Sequence, residues 1–348
     1  MAVFAEKGEE PVSEKRLKND TSLLIKEVKK YSTEGHTEAA YESGSCGYVI
    51  YRAMMKEGII CHVLPANKVA KKRDHRVKTD KRDARLIGRE LRSKSIRPIN
   101  VPDETDEAVR DLLRCRDDIS RDLRRVKQRL LKFLARHGHI YTGDSSNWTL
   151  KHWEWMDSIK FIQMHEQDVY EEYRSQIYGL DDRIDRIIKK IEEIAESPRY
   201  KTKVSKLRAF KGIDYIIALA LICEIGDFRR FAHARSFMSY LGFVPSENSS
   251  GSKRIQGGIT KAGNGNLRNL LIEGAWHYTK NTRTGKRLDQ RRKDSPLGAI
   301  DAADKALHRL HKKYNRLLLK GKHKNVAVTA VARELAGFIW AIQVNQAI

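Results

Sequence analysis

The sequence predicts an α/β domain at the N-terminus, a long helical segment in the middle and a mainly α-helical domain at the C-terminus. In the first third, short apolar segments alternate with segments of helical periodicity, which is typical of a layered α/β fold. From residue 170 to 194 an apolar residue recurs every three or four positions, and glycines separate the helical segments of the last third. The predicted domains are residues 1–145, 146–200 and 201–348.

The composition predicts a polyanionic partner. The chain has 348 residues and a net charge of +23, an excess that makes nucleic acid the first candidate. Its four cysteines form no C-x-x-C pair, so neither a zinc site nor a disulfide scaffold is indicated. No signal peptide opens the chain, and the longest apolar run, residues 215–226, is too short to cross a bilayer. We therefore expect a cytoplasmic protein without a membrane partner.

The elements of the first third can be assigned in order. The segments AVFA and PVSEKRL are predicted strands around the turn EKGEE, SLLIKEVKKY a helix, TEAAYES a strand that ends at Glu42, GYVIYRAMMKEG a helix and IICHVLP a strand. A further helix carries Asp80 and Asp83. Strands that alternate with helices in this way predict an α/β layer around a central sheet.

Helices dominate the remainder. One long helix is predicted over residues 103–137. The heptad spacing of residues 170–194 predicts a coiled coil or a helical hairpin, and the alternative is a helix that packs on its own domain. The segment LRAFKGIDYIIALALICEIGDFRRF predicts two short helices around glycine turns, a helix-hairpin-helix-like unit. The strongly basic tail is predicted to be helical through ALHRLHKKYNRLLL and VAVTAVARELAGFIWAI.

Three carboxylates form a candidate metal site. Asp80 and Asp83 are spaced i,i+3 and share one face of a helix, while Glu42 ends an apolar strand and can project into a cleft beside the sheet. Carboxylates of this kind are ligands for Mg²⁺ or Mn²⁺. The alternative is a solvated face on which Asp80 and Asp83 form ion pairs with the flanking cations, which are Arg76, Lys81 and Arg82. Residues 71–94 contain eleven Lys or Arg and four Asp or Glu, and we expect Arg76, Lys78, Lys81 and Arg82 to contact nucleic acid.

A second group of candidate residues lies in the segment NSSGSKRIQGGITKAGNGNLR. Its glycines allow a close approach to a phosphate, and a helix predicted to start near Asn264 adds backbone N–H donors. The order of a nucleotide-binding P-loop is absent. Serine could act here as a nucleophile, although a Ser-Gly pair is more often a turn. The nucleic-acid contacts expected here are Lys253, Arg254, Lys261, Asn264 and Arg268.

These residues resemble a known family. The matching segments are YESGSCGYVIYRAMMKEG, RVKTDKRDARLIGREL, VPDETDEAVRDLLRCRDDISRDLRRVKQRLLKFLARHG and MSYLGFVPSENSSGSKRIQGGITKAGNGNLRNLLIEGAW. They are similar to the DEDD transposases, the insertion-sequence "one-ten" family that includes the Piv invertase. The resemblance covers roughly residues 36–140 and 205–280, in the family's order.

The resemblance implies a RuvC-like, RNase H-like fold for the first domain, with four acidic residues that bind divalent metal. By motif, Glu42 takes the second position, and Asp80 and Asp83 take the third and fourth. It also implies a serine that attacks DNA and holds it as a phosphoserine link. Ser250 matches that serine, with Ser249 as the alternative. A structured guide RNA from the same element is a further implied partner.

One departure concerns the first acidic residue. The family carries it on a first strand that would precede AVFA, and the chain as given begins at Met1. Asp20 lies next to a predicted helix start, where it is expected to cap that helix. We therefore expect an N-terminal domain that lacks its first strand, because of either a misassigned start codon or a decayed gene.

The sequence thus predicts an enzyme, a transposase or site-specific DNA recombinase of an insertion sequence. Two alternatives remain at this point. One is a RuvC-like metal-dependent nuclease that forms no covalent intermediate, and the other is a non-catalytic, basic nucleic-acid-binding protein. The heptad seam further predicts a homo-oligomer, a dimer or a tetramer.

Overall fold

The computed structural model describes residues 1–32, 35–66, 80–95, 97–248 and 255–344. The chain forms two compact units, Met1–Val101 and Pro102–Ile348. The division falls at Val101 rather than at the predicted residue 145, because the long helix that follows Pro102 packs against helices of the C-terminal two thirds. The extents of the functional domains stay a prediction.

The first unit contains four short strands and three helices in its described residues. Its elements are β1 (Ala2–Val3), β2 (Ser13–Glu14), α1 (Thr21–Ser32), β3 (Glu38–Glu42), α2 (Val49–Lys56), β4 (Ile60–Leu64) and α3 (Asp80–Ser93). The Asp20 side chain caps α1, because its Oδ1 accepts the backbone N–H groups of Ser22 and Leu23 at 2.8 and 3.1 Å. The cap predicted for Asp20 is confirmed.

The strands form two separate ladders instead of one central sheet. β1 and β2 are antiparallel, with Ala2 opposite Glu14. β3 and β4 are parallel, with Glu42 opposite Leu64 at their shared end. Within the described residues no ladder joins these pairs. The small apolar core of this unit is built from α1, α2 and β4 around Val28, Met54, Ile59 and Cys61. The absence of a first strand stays a prediction.

The second unit is almost entirely helical. Its elements are α4 (Glu104–Arg136), α5 (Leu150–Asp157), α6 (Met164–Ala195), α7 (Lys201–Arg208), α8 (Tyr215–Ile225), α9 (Ala234–Tyr240), β5 (Pro245–Glu247), β6 (Gln256–Ile259), α10 (Gly265–Ala275), α11 (Lys286–Arg292), α12 (Leu297–Leu319) and α13 (Lys324–Gln343). The predicted helix over residues 103–137 and the two helices of the basic tail are confirmed. Of the two short helices predicted in LRAFKGIDYIIALALICEIGDFRRF, the structure contains α8, while α7 lies almost entirely before this segment.

The heptad seam of α6 packs against α4 of the same chain. Tyr170, Ile177, Ile184 and Ile191 recur every seven residues and are all buried. Because α4 covers this seam, the seam itself requires no second copy of the protein, and the argument from it to a homo-oligomer was wrong. The oligomeric state and the coiled-coil linker stay predictions.

The larger core lies between α7, α8, α10, α12 and α13. Among the described residues one helix, α13, is long and apolar enough to span a membrane. Its side chains Ala327, Val331, Leu335 and Ile339 are fully buried against the other helices. The apolar character of α13 is therefore explained by its position in the protein core.

Candidate active site

Glu42 lies at the end of a strand, as predicted. It is half-buried and is the last residue of β3. The next residue, Ser43, donates its backbone N–H to the carbonyl of Leu64 at 2.8 Å, and its hydroxyl oxygen accepts the N–H of Ala66 at 3.3 Å. These bonds fix the chain immediately after Glu42, so that its position relative to β4 is well defined.

Asp80 and Asp83 lie in the first turn of α3. Asp80 is exposed and Asp83 is half-buried. Carboxylates are favourable there because the N-terminal end of a helix carries partial positive charge. Helix α3 packs on both β1 and β3, and it approaches the residue that follows β1 so closely that a Cβ on Gly88 would lie 2.4 Å from the Phe4 ring.

The three carboxylates have the chemistry of a magnesium or manganese site but do not form one in this structure. Oxygen ligands of this type suit hard divalent cations. Within the described residues, however, no three His, Cys, Asp or Glu side chains are grouped so that they could hold a metal ion. The predicted convergence of Glu42, Asp80 and Asp83 is therefore not seen, and their metal binding stays a proposal.

The basic residues of α3 are partly neutralised by the β1–β2 hairpin. Glu14 binds Arg85 through Nε and Nη2, the latter at 2.9 Å from Oε2. It also pairs with Lys81 at 2.8 Å. The hydrogen bond from Arg85, followed by that from Lys81, lowers the pKa of Glu14 to about 2. Lys81 is thus held by Glu14, while Arg82 lies exposed on the same turn of α3. Arg76 and Lys78 lie outside the described residues.

The serine segment connects the two strands of a short hairpin. In the pair β5–β6, Pro245 lies opposite Ile259 and Glu247 opposite Gln256. Asn248 donates its N–H to the carbonyl of Ile255 at 2.9 Å, so both ends of the connection are held together. The connection itself, residues 249–254, lies outside the described residues. It includes Ser249, Ser250, Lys253 and Arg254.

Two glycines allow the base of this hairpin to approach α9 and α10. Gly242 and Gly263 have φ angles of +72° and +119°, a region that favours glycine. A Cβ on Gly263 would lie 2.0 Å from the carbonyl oxygen of Tyr240, and one on Gly242 would lie 2.6 Å from that of Ala262. Any larger residue at either position would push the base of the β5–β6 hairpin away from α9.

Asn264 and Arg268 support the hairpin through contacts within the protein. Asn264 caps α10, since its Oδ1 accepts the N–H of Leu267 at 3.1 Å, which confirms the predicted helix start. Arg268 donates from Nη1 to the carbonyls of Leu241 and Lys261 at 3.0 and 3.2 Å. Lys261 is exposed. The nucleic-acid contacts of all three residues stay predictions, and Lys261 is the most exposed of the three.

Glu224 is a residue of this site that sequence reasoning missed. It is largely buried and binds Arg114 at 2.9 Å, and its other oxygen accepts a hydrogen bond from Asn264 at 3.2 Å. The buried Arg110 donates to the carbonyls of Cys223 and Glu224. Helices α4, α8 and α10 are thereby tied together. No local pattern reveals this, because Arg114 and Asn264 are 110 and 40 residues away from Glu224 in the chain.

Comparisons with known proteins identify the family of this chain. Residues 1–138 match the DEDD family of the IS110 type, described as a transposase, and residues 204–290 match the family described as "Transposase IS116/IS110/IS902 family". The first match implies an RNase H-like fold for the N-terminal part and suggests that the family depends on a divalent metal.

Individual relatives are transposases by name. The Sinorhizobium fredii protein "Putative transposase y4qE" is 38% identical over 88% of this chain and 75% of its own length. The transposase for insertion sequence element IS1533 of Leptospira borgpetersenii is 33% identical over 92% of this chain and 94% of its own length. The chain therefore belongs to the IS116/IS110/IS902 family of transposases and is the enzyme of an insertion sequence.

Proposed function

We propose that this transposase cleaves and rejoins DNA strands through a serine nucleophile. Ser250 is the proposed nucleophile, with Ser249 as the alternative, and Glu42, Asp80 and Asp83 are the proposed ligands of Mg²⁺ or Mn²⁺. The observation that carries the proposal is the hairpin β5–β6, which pairs Glu247 with Gln256 and so holds both ends of the serine segment together.

The chemical step is a displacement at phosphorus. The Oγ atom of Ser250 attacks a backbone phosphorus, so that a P–Oγ bond forms and the bond from phosphorus to one sugar oxygen breaks. The serine hydroxyl loses its proton, and the released sugar oxygen gains one. In the rejoining step, a sugar hydroxyl of another strand displaces Oγ from phosphorus and regenerates the serine. A serine hydroxyl is a weak nucleophile on its own and therefore needs to be activated.

The wider proposal concerns partners and place of action. DNA is the substrate on which a transposase acts. We propose further that a structured RNA from the same element guides target choice, that the protein works as a dimer or tetramer, and that it acts in the cytoplasm. Lys253, Arg254 and Lys261 flank the serine and are the proposed phosphate contacts there, and Arg76, Lys78 and Arg82 are the proposed contacts near the carboxylates.

A covalent adduct tests the serine. The protein is incubated with its element's DNA ends and Mg²⁺, then denatured, and labelled DNA that remains attached to protein is measured. Ser250→Ala should abolish the adduct while DNA binding persists, and the matched change Ser252→Ala in the same segment should leave it intact. Loss of the adduct in Ser249→Ala alone would assign the nucleophile to Ser249. An adduct that persists in both Ser250→Ala and Ser249→Ala would assign the nucleophile to another residue, and a wild type that forms no adduct would show that the enzyme works without a covalent intermediate.

Direct ion binding tests the carboxylates. Glu42→Gln or Asp83→Asn should weaken Mn²⁺ binding, followed by electron paramagnetic resonance, by at least about tenfold, since even changes behind a metal ligand often cost that much. Glu38→Gln is the matched control, because Glu38 begins the strand that Glu42 ends and binds His62 instead. Equal losses in all three variants would show that the carboxylates act only through general charge.

A further inference from the structure

We infer that the turn between α7 and α8, together with residues 280–291, forms an additional surface that binds the phosphate backbone of duplex DNA. We call it the cationic surface and define it by Lys211, Lys280, Arg283, Arg287 and Arg291. None of these residues belongs to the serine segment or to the carboxylate group. The choice of DNA rests on the proposed function, in which the enzyme acts on DNA strands.

Close backbone contact places the turn beside the basic segment. Gly212 has a φ angle of +82°, and a Cβ at this position would lie 2.2 Å from the carbonyl oxygen of Gly274 and 3.0 Å from the His277 ring. Only glycine allows this approach. The turn is therefore fixed against the end of α10, directly before the basic residues begin.

Lys211 gives the basic segment a defined shape. Its Nζ donates to the carbonyls of Asn281 and Arg283 at 2.9 and 3.1 Å. Burial lowers the pKa of Lys211. These hydrogen bonds fix the backbone of the basic segment at Asn281 and Arg283. The side chains of Lys280 and Arg283 remain exposed.

The positive charge is poorly compensated. Asp214 is shared by Arg287, Arg208 and Arg291 at 3.2, 3.4 and 3.7 Å. Arg208 also pairs with Glu196 at 3.4 Å, so two carboxylates face three guanidinium groups. The side chain of Arg291 is 12% exposed, and its Nε is buried without a hydrogen-bond partner in the described structure. An arginine keeps its charge even when buried. The surface therefore retains a net positive charge.

A second observation agrees that positive potential converges here. Burial lowers the pKa of His277, and the neighbouring charges of Lys211, Arg291 and Lys280 lower it further. Residues 277–293 contain seven Lys or Arg and one acidic residue, Asp289. Exposed arginine and lysine in such excess suit phosphate oxygens, which arginine can bind with two parallel hydrogen bonds.

The test removes three exposed charges and measures how DNA binding depends on salt. The variant Lys280→Gln, Arg283→Gln, Arg287→Gln changes side chains that lie on the surface, and circular dichroism confirms that its helices are retained. Each lost phosphate contact should reduce the slope of log affinity against log salt by about 0.9. We expect the slope for a short DNA duplex to become shallower by about 2 to 3.

A matched variant controls for net charge alone. Arg183→Gln, Lys189→Gln, Lys190→Gln removes the same charge from exposed positions of α6 and should leave the slope unchanged. Equal slopes for the surface variant and the wild type, or an equal loss in the control, would overturn the inference. A loss confined to a folded RNA hairpin, with duplex binding intact, would also overturn it, since the surface would then bind RNA.

The outcome is separable from the serine mechanism. All binding measurements are repeated in Ser250→Ala, which cannot form the proposed adduct. If the wild type forms no adduct but the surface variant has a shallower salt slope than the wild type, the serine mechanism is refuted and this surface is retained. A surface variant that keeps both slope and adduct would refute only the surface.

Discussion

Asn264 donates a hydrogen bond from Nδ2 to Oε2 of Glu224 at 3.2 Å, while its Oδ1 caps α10 through the N–H of Leu267. Both ends of the amide are therefore used within the protein. Through Glu224 and its partner Arg114, the helix that follows the serine segment is connected to α8 and to the long helix α4. The position of the N-terminus of α10 thus depends on residues far away in the sequence.

Replacing Asn264 should affect stability more than DNA affinity. Asn264→Ala removes the cap of α10 and leaves Glu224 with one donor fewer, so the free energy of unfolding should fall by about 1 kcal/mol, the usual value of a helix cap. Urea unfolding followed by tryptophan fluorescence measures this, since all five tryptophans lie in the second unit.

Asn264→Asp keeps the capping oxygen but puts a carboxylate beside Glu224. A salt slope for DNA that drops by about 0.9 in Asn264→Ala would instead indicate a phosphate contact.

Glu14 should make the first unit sensitive to acid. Its pKa is lowered to about 2 by Arg85 and Lys81, whereas an unfolded glutamate titrates near 4.3. The ionised carboxylate therefore stabilises the folded state above about pH 4.3, and this contribution is lost as the pH falls towards 2. Hydrogen exchange of α3 peptides should be faster in Glu14→Gln than in the wild type at neutral pH, and the difference should shrink on acidification.

The control for this prediction is another glutamate of the first unit. Glu38→Gln alters a carboxylate that is paired with His62 rather than with Arg85 or Lys81. It should leave exchange in α3 unchanged. A difference between wild type and Glu14→Gln that persists undiminished at pH 2 would show that the ion pair is not its cause.

Burial of the α6 seam predicts a large stability loss on truncation. Ile177 is fully buried between α6 and α4, so Ile177→Ala should lower the free energy of unfolding by about 2–5 kcal/mol. Ile162, which is 99% exposed, is the matched control, and Ile162→Ala should change the free energy of unfolding by less than about 0.5 kcal/mol. Urea unfolding of both variants measures these changes.

The same burial changes how self-association must be tested. Ile184 packs in the core between α4 and α6, so Ile184→Asp should disrupt the packing of these two helices, and a loss of oligomers in that variant would not identify an interface. Light scattering of Ile162→Ala, Val169→Ser and wild type, which differ only at exposed positions, is a more informative comparison. A change of mass in either variant would locate an interface near the N-terminal end of α6.

His152 should weaken the packing of α5 against α4 and α6 at acid pH. It is fully buried, both ring nitrogens lack a hydrogen-bond partner in the described structure, and the rings of Tyr141, Trp148 and Trp155 surround it. Burial lowers its pKa, so the unfolded chain takes up a proton first, near pH 6.5. Stability should therefore fall as the pH drops below about 6.5.

The variant His152→Phe isolates this effect. Phenylalanine fits an aromatic surrounding and cannot be protonated, so the decline of stability below about pH 6.5 should be smaller than in the wild type. His165 is exposed and serves as the control, because His165→Ala should keep the decline. Tryptophan fluorescence during urea unfolding at pH 5 and pH 7.5 measures both variants. An unchanged pH dependence in His152→Phe would remove His152 as the cause.

The sequence by itself determined the local elements. Asp20 predicted the start of α1, the heptad spacing predicted α6, and the segment around Asn264 predicted the start of α10; the structure contains all three. These features depend on residues within a few positions of one another, where capping and helical periodicity act. The family was also identified correctly from motif residues alone.

Only the tertiary structure decided which partner each element has. The α6 seam looks the same whether a second copy or α4 covers it, because heptad spacing specifies an apolar face and not its partner. Lys81 and Asn264, whose nucleic-acid contacts stay predictions, have the partners Glu14 and Glu224 within the protein, which sequence spacing does not reveal. The strands predicted for one sheet form two ladders. Such contacts join residues that are distant in the chain, and their energies depend on geometry that sequence spacing does not encode.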